Sequence, residues 1–147
     1  MVKMKIYLDN CSYNRPFDVQ LDIMVRLEAE AKLYIQGLVK ENRLDLVWSS
    51  VNEYENNDNP FDEKRERIGA WKDLAVEYCT LNETILLKAG ELIERKLRAK
   101  DALHIASSIY SKCDYFITTD KKILNKNIPD IVVVNPITFV EEYTYEK

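Results

Sequence analysis

The sequence predicts an α/β fold, a three-layer α/β/α sandwich around a mostly parallel sheet, as one domain over residues 1–147. Three observations carry this expectation. Short β-favouring runs alternate with longer stretches of helical periodicity, as strands joined by helical crossovers do. The runs are nearly continuous in apolar residues, which suits strands covered on both faces. The chain has 147 residues, 46% hydrophobic and 31% charged, enough for one buried core and too apolar for disorder. No internal repeat or linker divides it.

Met4 to Leu8 is the first predicted strand and ends at Asp9-Asn10. Cys11 to Val19, with Arg15-Pro16-Phe17, reads as a loop or single turn. From Leu21 to about Glu41 the periodicity is helical. It turns Met24, Leu27, Ala31, Tyr34, Ile35 and Leu38 inward, and Glu28, Glu30, Lys32 and Lys40 outward. Leu44 to Trp48 is the second strand, after which Ser49 or Ser50 caps a helix carrying Val51, Glu53, Tyr54 and Glu55. Asn56 to Asn59 breaks that helix. Asn59-Pro60 suits the cap and first position of the next, with Phe61, Ile68, Trp71 and Leu74 on one face. Val76 to Leu81 is a weaker strand, and Asn82 opens a helix that buries Ile85, Ala89, Leu92, Ile93 and Leu97.

The stretch from Lys100 to Asp120 organises the rest. A helix starting at Asp101 presents Ala102, Ile105, Ala106, Ile109 and Cys113 as an apolar stripe, and Tyr115 to Ile117 is a short buried strand. A helix packed on the strand that follows it runs antiparallel to that strand. Asp101 and Asp120 should therefore meet at one end of the sheet, with Asp114 at the other. A short helix over Lys121 to Leu124, a strand over Ile131 to Val134 and a helix from Pro136 through Tyr143 complete the chain.

A net charge of -4 argues against a passive nucleic-acid coat and permits an enzyme whose carboxylates are offset by bound cations. Gly37, Gly69 and Gly90 form no phosphate-cradling loop, which disfavours nucleotide-binding readings. Cys11, Cys79 and Cys113 are odd in number without a CxxC pair, so reduced thiols, a cytoplasmic location and no zinc site are expected. No membrane segment is expected, because no apolar run approaches the roughly 20 residues a membrane helix needs. The start at Met1 to Lys5 has no secretory core behind it.

Ligands of open parallel sheets bind beyond the carboxyl ends of the strands. Asp9, Glu53 or Glu55, Asp101 and Asp120 are all delivered to that edge. Carboxylates within about 4–6 Å repel and raise the pKa of at least one of them. Mg²⁺ or Mn²⁺, hard cations that take oxygen ligands, relieve that repulsion and can support phosphodiester hydrolysis. His104 is read as a packed or rim residue, and Arg15, Lys100, Lys121 and Lys122 as surface charge or phosphate contacts. A haloacid-dehalogenase or receiver domain also ends its first strand with aspartate. It would want a second carboxylate two residues on, where this chain has Cys11, or a lysine after a later strand.

Leu8-Asp9, the Ser49 to Glu55 spacing, Lys100-Asp101-Ala102-Leu103-His104-Ile105-Ala106 and Asp114-Tyr115-Phe116-Ile117-Thr118-Thr119-Asp120 together resemble the PIN-domain nucleases, which include the VapC toxins. The resemblance spans nearly the whole chain and implies the same PIN-like sandwich. It assigns Asp9, Glu55, Asp101 and Asp120 as the catalytic and metal-holding set, choosing Glu55 over Glu53. Thr118 or Thr119 falls where the family orients its first aspartate, and Asn10 and Arg15 stand as supporting positions. Many members have a glycine-containing turn before the third aspartate, whereas Leu97-Arg98-Ala99-Lys100 is helix-compatible and basic. The implied function is a Mg²⁺/Mn²⁺-dependent endoribonuclease that cleaves RNA. As the toxin of a toxin–antitoxin module it would have a cognate antitoxin and form a homodimer. The alternative is a catalytically idle PIN-like module that binds RNA or protein.

Overall fold

Five short strands pair in parallel in the order β3-β2-β1-β4-β5 in the computed structural model, which describes residues 3–20 and 22–145. They are β1 (Lys5–Leu8), β2 (Asp45–Ser49), β3 (Glu77–Cys79), β4 (Tyr115–Ile117) and β5 (Val132–Val134). The helices are α1 (Asn10–Asn14), α2 (Ile23–Lys40), α3 (Ser50–Asn57), α4 (Asp62–Gly69), α5 (Glu83–Glu94), α6 (Ala99–Tyr110), α7 (Lys121–Leu124) and α8 (Pro136–Tyr145). Alternation along each strand sends side chains to opposite faces. Ile6, Leu8, Leu46, Trp48 and Ile117 pack with Ile35 and Leu38 of α2 and Phe139 of α8. Tyr7, Val47 and Phe116 pack on the other side with Ile85, Leu92, Ala102, Ile105 and Ala106 of α5 and α6. The predicted α/β/α sandwich is the observed fold, and among the described residues its sheet is wholly parallel.

Several elements differ in detail from the reading of the sequence. Cys11 to Val19 is more structured than a loop: Asp9 caps α1, and Arg15–Phe17 continues as a 3₁₀ turn. The predicted start of α2 at Leu21 lies outside the described residues, and Asp22 caps the helix. The helix is also rotated from the expected face. Met24, Leu27 and Tyr34 are exposed, while Glu28 and Lys32 are buried beside Ile35 and Val39. Arg15 and Asn135 bind the Glu28 carboxylate, and the Lys32 ammonium lies over the rings of Tyr13 and Trp71. A helical stripe can bury such residues when each charge finds an ion partner or an aromatic face.

Asn59-Pro60 does not open α4. The Asn59 side chain accepts from the Phe61 N–H, a local turn, and the helix starts two residues later without a side-chain cap. Phe61 and Leu74 are exposed, so only Ile68 and Trp71 of that predicted face reach the core. Ile93 is likewise exposed, and Leu97 is buried beyond the end of α5. Of the segment before Asp101, Ala99 and Lys100 are helical, and the chain breaks ahead of them, over Lys96 to Arg98. Lys96 takes the left-handed conformation (φ 76°) that a glycine would adopt without strain, and Arg98 is extended. Asp101 consequently stands in the first turn of α6 instead of opening it.

Candidate active site

All strands being parallel, the residues that follow them gather at one edge of the sheet. Asp114, which precedes β4, lies at the opposite edge, where its carboxylate accepts from the Lys5 N–H at 2.8 Å. Asp9, Asn10, Cys11, Glu55, Arg98, Lys100, Asp101 and His104 line a pocket of about 290 Å³ at the carboxyl edge. Asp120 reaches the same region through Arg98, described below.

Asp9 follows β1 and is 3% exposed. One carboxylate oxygen accepts from the Ser12 N–H at 3.0 Å and the other from the Thr118 hydroxyl at 2.5 Å. Burial pushes this carboxyl up to about 6, against the opposing pull of Thr118, His104 and Ser12. Thr118 is thus the hydroxyl that orients Asp9. The Thr119 hydroxyl makes no hydrogen bond, so Thr119 does not share that role.

Glu55 sits on α3 because Ser49 and Asn52 form a reciprocal capping box at the start of that helix. Its Oε1 meets His104 Nε2 at 2.8 Å. His104 Nδ1 is 2.6 Å from the Tyr7 hydroxyl, which is in turn 2.6 Å from the Ser49 hydroxyl. A buried polar chain therefore runs from the helix cap to the pocket. Asn52 extends it by donating to Leu8 O at 3.1 Å and to Asn10 Oδ1 at 2.9 Å. Glu53 points elsewhere and pairs with Lys72 at 2.7 Å.

Asp101 and Asp120 share one cation. Arg98 donates from Nε to Asp101 and from Nη2 to Asp120, each at 3.1 Å. Asp9, Glu55 and Asp101 line one pocket, and Arg98 ties Asp120 to Asp101, so the four carboxylates gather at one locality. Burial, and after it these carboxylates, push the Cys11 thiol up to about 12. Among the described residues, no group of three His, Cys, Asp or Glu side chains is placed so that it could hold a metal ion. By residue type alone, the donor set suits a hard divalent cation. It is oxygen-rich, it includes a buried carboxylate disfavoured as an anion, and two of its members already bind a shared positive charge.

Two supporting positions change role. The Asn10 side chain lines the pocket, but its amide is engaged with Asn52. Arg15 is tied to Asp18 and Glu28 and is absent from the pocket wall, so it braces the loop after α1. The sequence reading missed Arg98 and the Tyr7 hydroxyl. The signal for Arg98 was its place three residues before Asp101, one helical turn away. Tyr7 looked like any core aromatic.

The PIN domain family model matches residues 24–129. Among solved structures the chain is similar to the VapBC2 complex of Rickettsia felis bound to a DNA fragment from its promoter. The TM-score is 0.58 at 15% identity, covering 90% of this chain and 98% of that one. It is similar too to a toxin–antitoxin complex from Klebsiella pneumoniae, with a TM-score of 0.58 at 20% identity, covering 89% and 97%. At such identities the likeness speaks for the fold. No curated protein matches the sequence.

Proposed function

The chain belongs to the PIN domain family, whose members are generally nucleases, and from that premise we propose that it is a Mg²⁺- or Mn²⁺-dependent endoribonuclease. The observation that carries the proposal is the gathering of Asp9, Glu55 and Asp101 around one pocket at the carboxyl edge, with Asp120 joined to Asp101 through Arg98. These four would hold the cation. When bound, it would neutralise the scissile phosphate and acidify the attacking water. The remaining work belongs to the chain. Thr118 and the Ser12 N–H hold Asp9 facing the pocket, and His104, itself held by Tyr7, directs Glu55. Lys100 on the pocket wall can draw the phosphodiester toward the carboxylates.

A toxin role with a cognate antitoxin is supported by the two structural neighbours, both toxin–antitoxin complexes, and a homodimer by the family resemblance. Among the described residues, no helix is long and apolar enough to cross a membrane. One observation favours a catalytically idle RNA- or protein-binding module instead: Arg98 already neutralises Asp101 and Asp120. Incubating single-stranded and structured RNA with the protein and Mn²⁺ or Mg²⁺, and again with EDTA, separates the two readings. Cleavage that EDTA stops is expected. Binding without cleavage in any cation would leave the idle module.

A further inference from the structure

A second cleft, of about 310 Å³, adjoins the candidate active site and shares Arg98 and Asp101 with it. Lys96, Lys122, Lys126 and Asn125 form its other polar walls. They come from three separate places, namely the break between α5 and α6, the helix α7 and the turn after it. Leu97 and Ile123, both buried, anchor those segments beneath the cleft. Among the described residues, none of these three lysines has a carboxylate at ion-pair distance, whereas Arg98 has two.

In a chain of net charge -4, such unneutralised cations beside an acidic pocket call for an anion. We propose that this cleft is a phosphate-backbone subsite, in which Lys96, Lys122 and Lys126 hold the phosphodiester next to the one being cut. The proposal rests on the nuclease reading and deepens it.

The chemistry of the walls limits what the subsite can do. Lysines act as mobile point charges, and their contacts to phosphate carry no sequence information. The subsite therefore contributes affinity and fixes how the strand enters, without selecting sequence. Asn125 is the one neutral side chain there with both a donor and an acceptor, the pair that a ribose 2′-hydroxyl can satisfy. The two compartments divide the labour: carboxylates gather the cation in one, and lysines gather the adjacent negative charge in the other. Arg98 stands between them.

The test is fluorescence anisotropy of a labelled single-stranded oligoribonucleotide in EDTA over a range of salt, with wild type, the Lys96→Gln/Lys126→Gln double variant and Lys112→Gln. Lys112 is an exposed lysine at the opposite edge of the sheet, also in the left-handed conformation, and serves as the control. Each phosphate contact on a single strand contributes about 0.7 to the slope of log affinity against log salt. The double variant should lose about 1.4 from that slope and bind every sequence more weakly by a similar factor. Its cleavage should show a raised KM with kcat unchanged, and the control should match wild type. RNA binding by wild type with an unaltered slope in the double variant overturns the subsite and leaves the nuclease reading standing. No RNA binding by wild type at low salt overturns the subsite as well, whereas the nuclease reading falls only if Mn²⁺ and Mg²⁺ both fail to support cleavage.

Discussion

At Asp9 a carboxylate occupies a place that disfavours its charge. Its carboxyl titrates near 3.8 when solvated and at about 6 in the folded protein. Between those values the folded chain holds a proton that the unfolded chain has released. Stability therefore falls as pH rises from about 4 to 6, and the deficit persists above, on the order of 3 kcal/mol for a rise of this size. Without cation, Asp9→Asn should melt above wild type at pH 7, and the gap should close by pH 4. Equal melting at pH 7 would contradict this account of Asp9. The sequence reading placed the raised pKa in mutual repulsion among the carboxylates, but burial is its first cause, and Arg98 relieves Asp101 and Asp120. A second contrast lies on α3. Glu55 faces the pocket through His104 and Glu53 pairs with Lys72 at the surface. Glu55→Gln should remove most RNA cleavage and Glu53→Gln little, compared as kcat/KM under saturating Mn²⁺. The reverse order would show that the wrong glutamate has been chosen.

At the scale of the element, α2 shows what periodicity alone misjudges. Its most apolar stripe is partly exposed, because Glu28 and Lys32 occupy the buried face with partners supplied by other segments. Among the described residues Lys32 has no acceptor beyond aromatic rings, and burial lowers its ammonium to about 7. Below pH 7 the folded state must keep a proton that it holds weakly. As pH rises from 7 toward 10.5 the folded amine is neutral while the unfolded one is still protonated, so wild type gains stability across that window. Lys32→Met keeps the stem packing and abolishes the titration. It should unfold at higher denaturant than wild type at pH 6, with the difference shrinking by pH 9. A constant difference would mean that Lys32 keeps its proton in the fold across this range.

For the whole molecule, the parallel sheet decides which carboxylates can act together. A cation bound by the folded state alone raises stability by about 2.7 kcal/mol at one hundred times its Kd. Millimolar Mn²⁺ should therefore raise the melting temperature of wild type. Asp9→Asn should gain little, so its advantage at pH 7 should narrow or invert. Zn²⁺ should be a poor substitute, since the only histidine is buried between Tyr7 and Glu55 and the cysteines are widely spaced. Parallel melting curves for the two proteins with and without Mn²⁺ would dissociate Asp9 from any cation.

The strand-and-helix alternation, the parallel sheet and the placement of Asp9, Asp101 and Asp120 at one edge with Asp114 at the other were legible in the residues. These follow from period and topology, which are local properties of a chain that must bury its strands. The choice of Glu55 needed the family resemblance, and its geometry needed the fold. Tyr7, Ser49 and His104 come from three separate stretches, and only packing brings their polar atoms to 2.6 Å. Thr118 rather than Thr119, the Arg98 bridge and the buried Glu28 and Lys32 were decided the same way. Side-chain partners distant in sequence leave no periodic trace. A charge reads as exposed until the tertiary structure supplies the group that makes its burial tolerable.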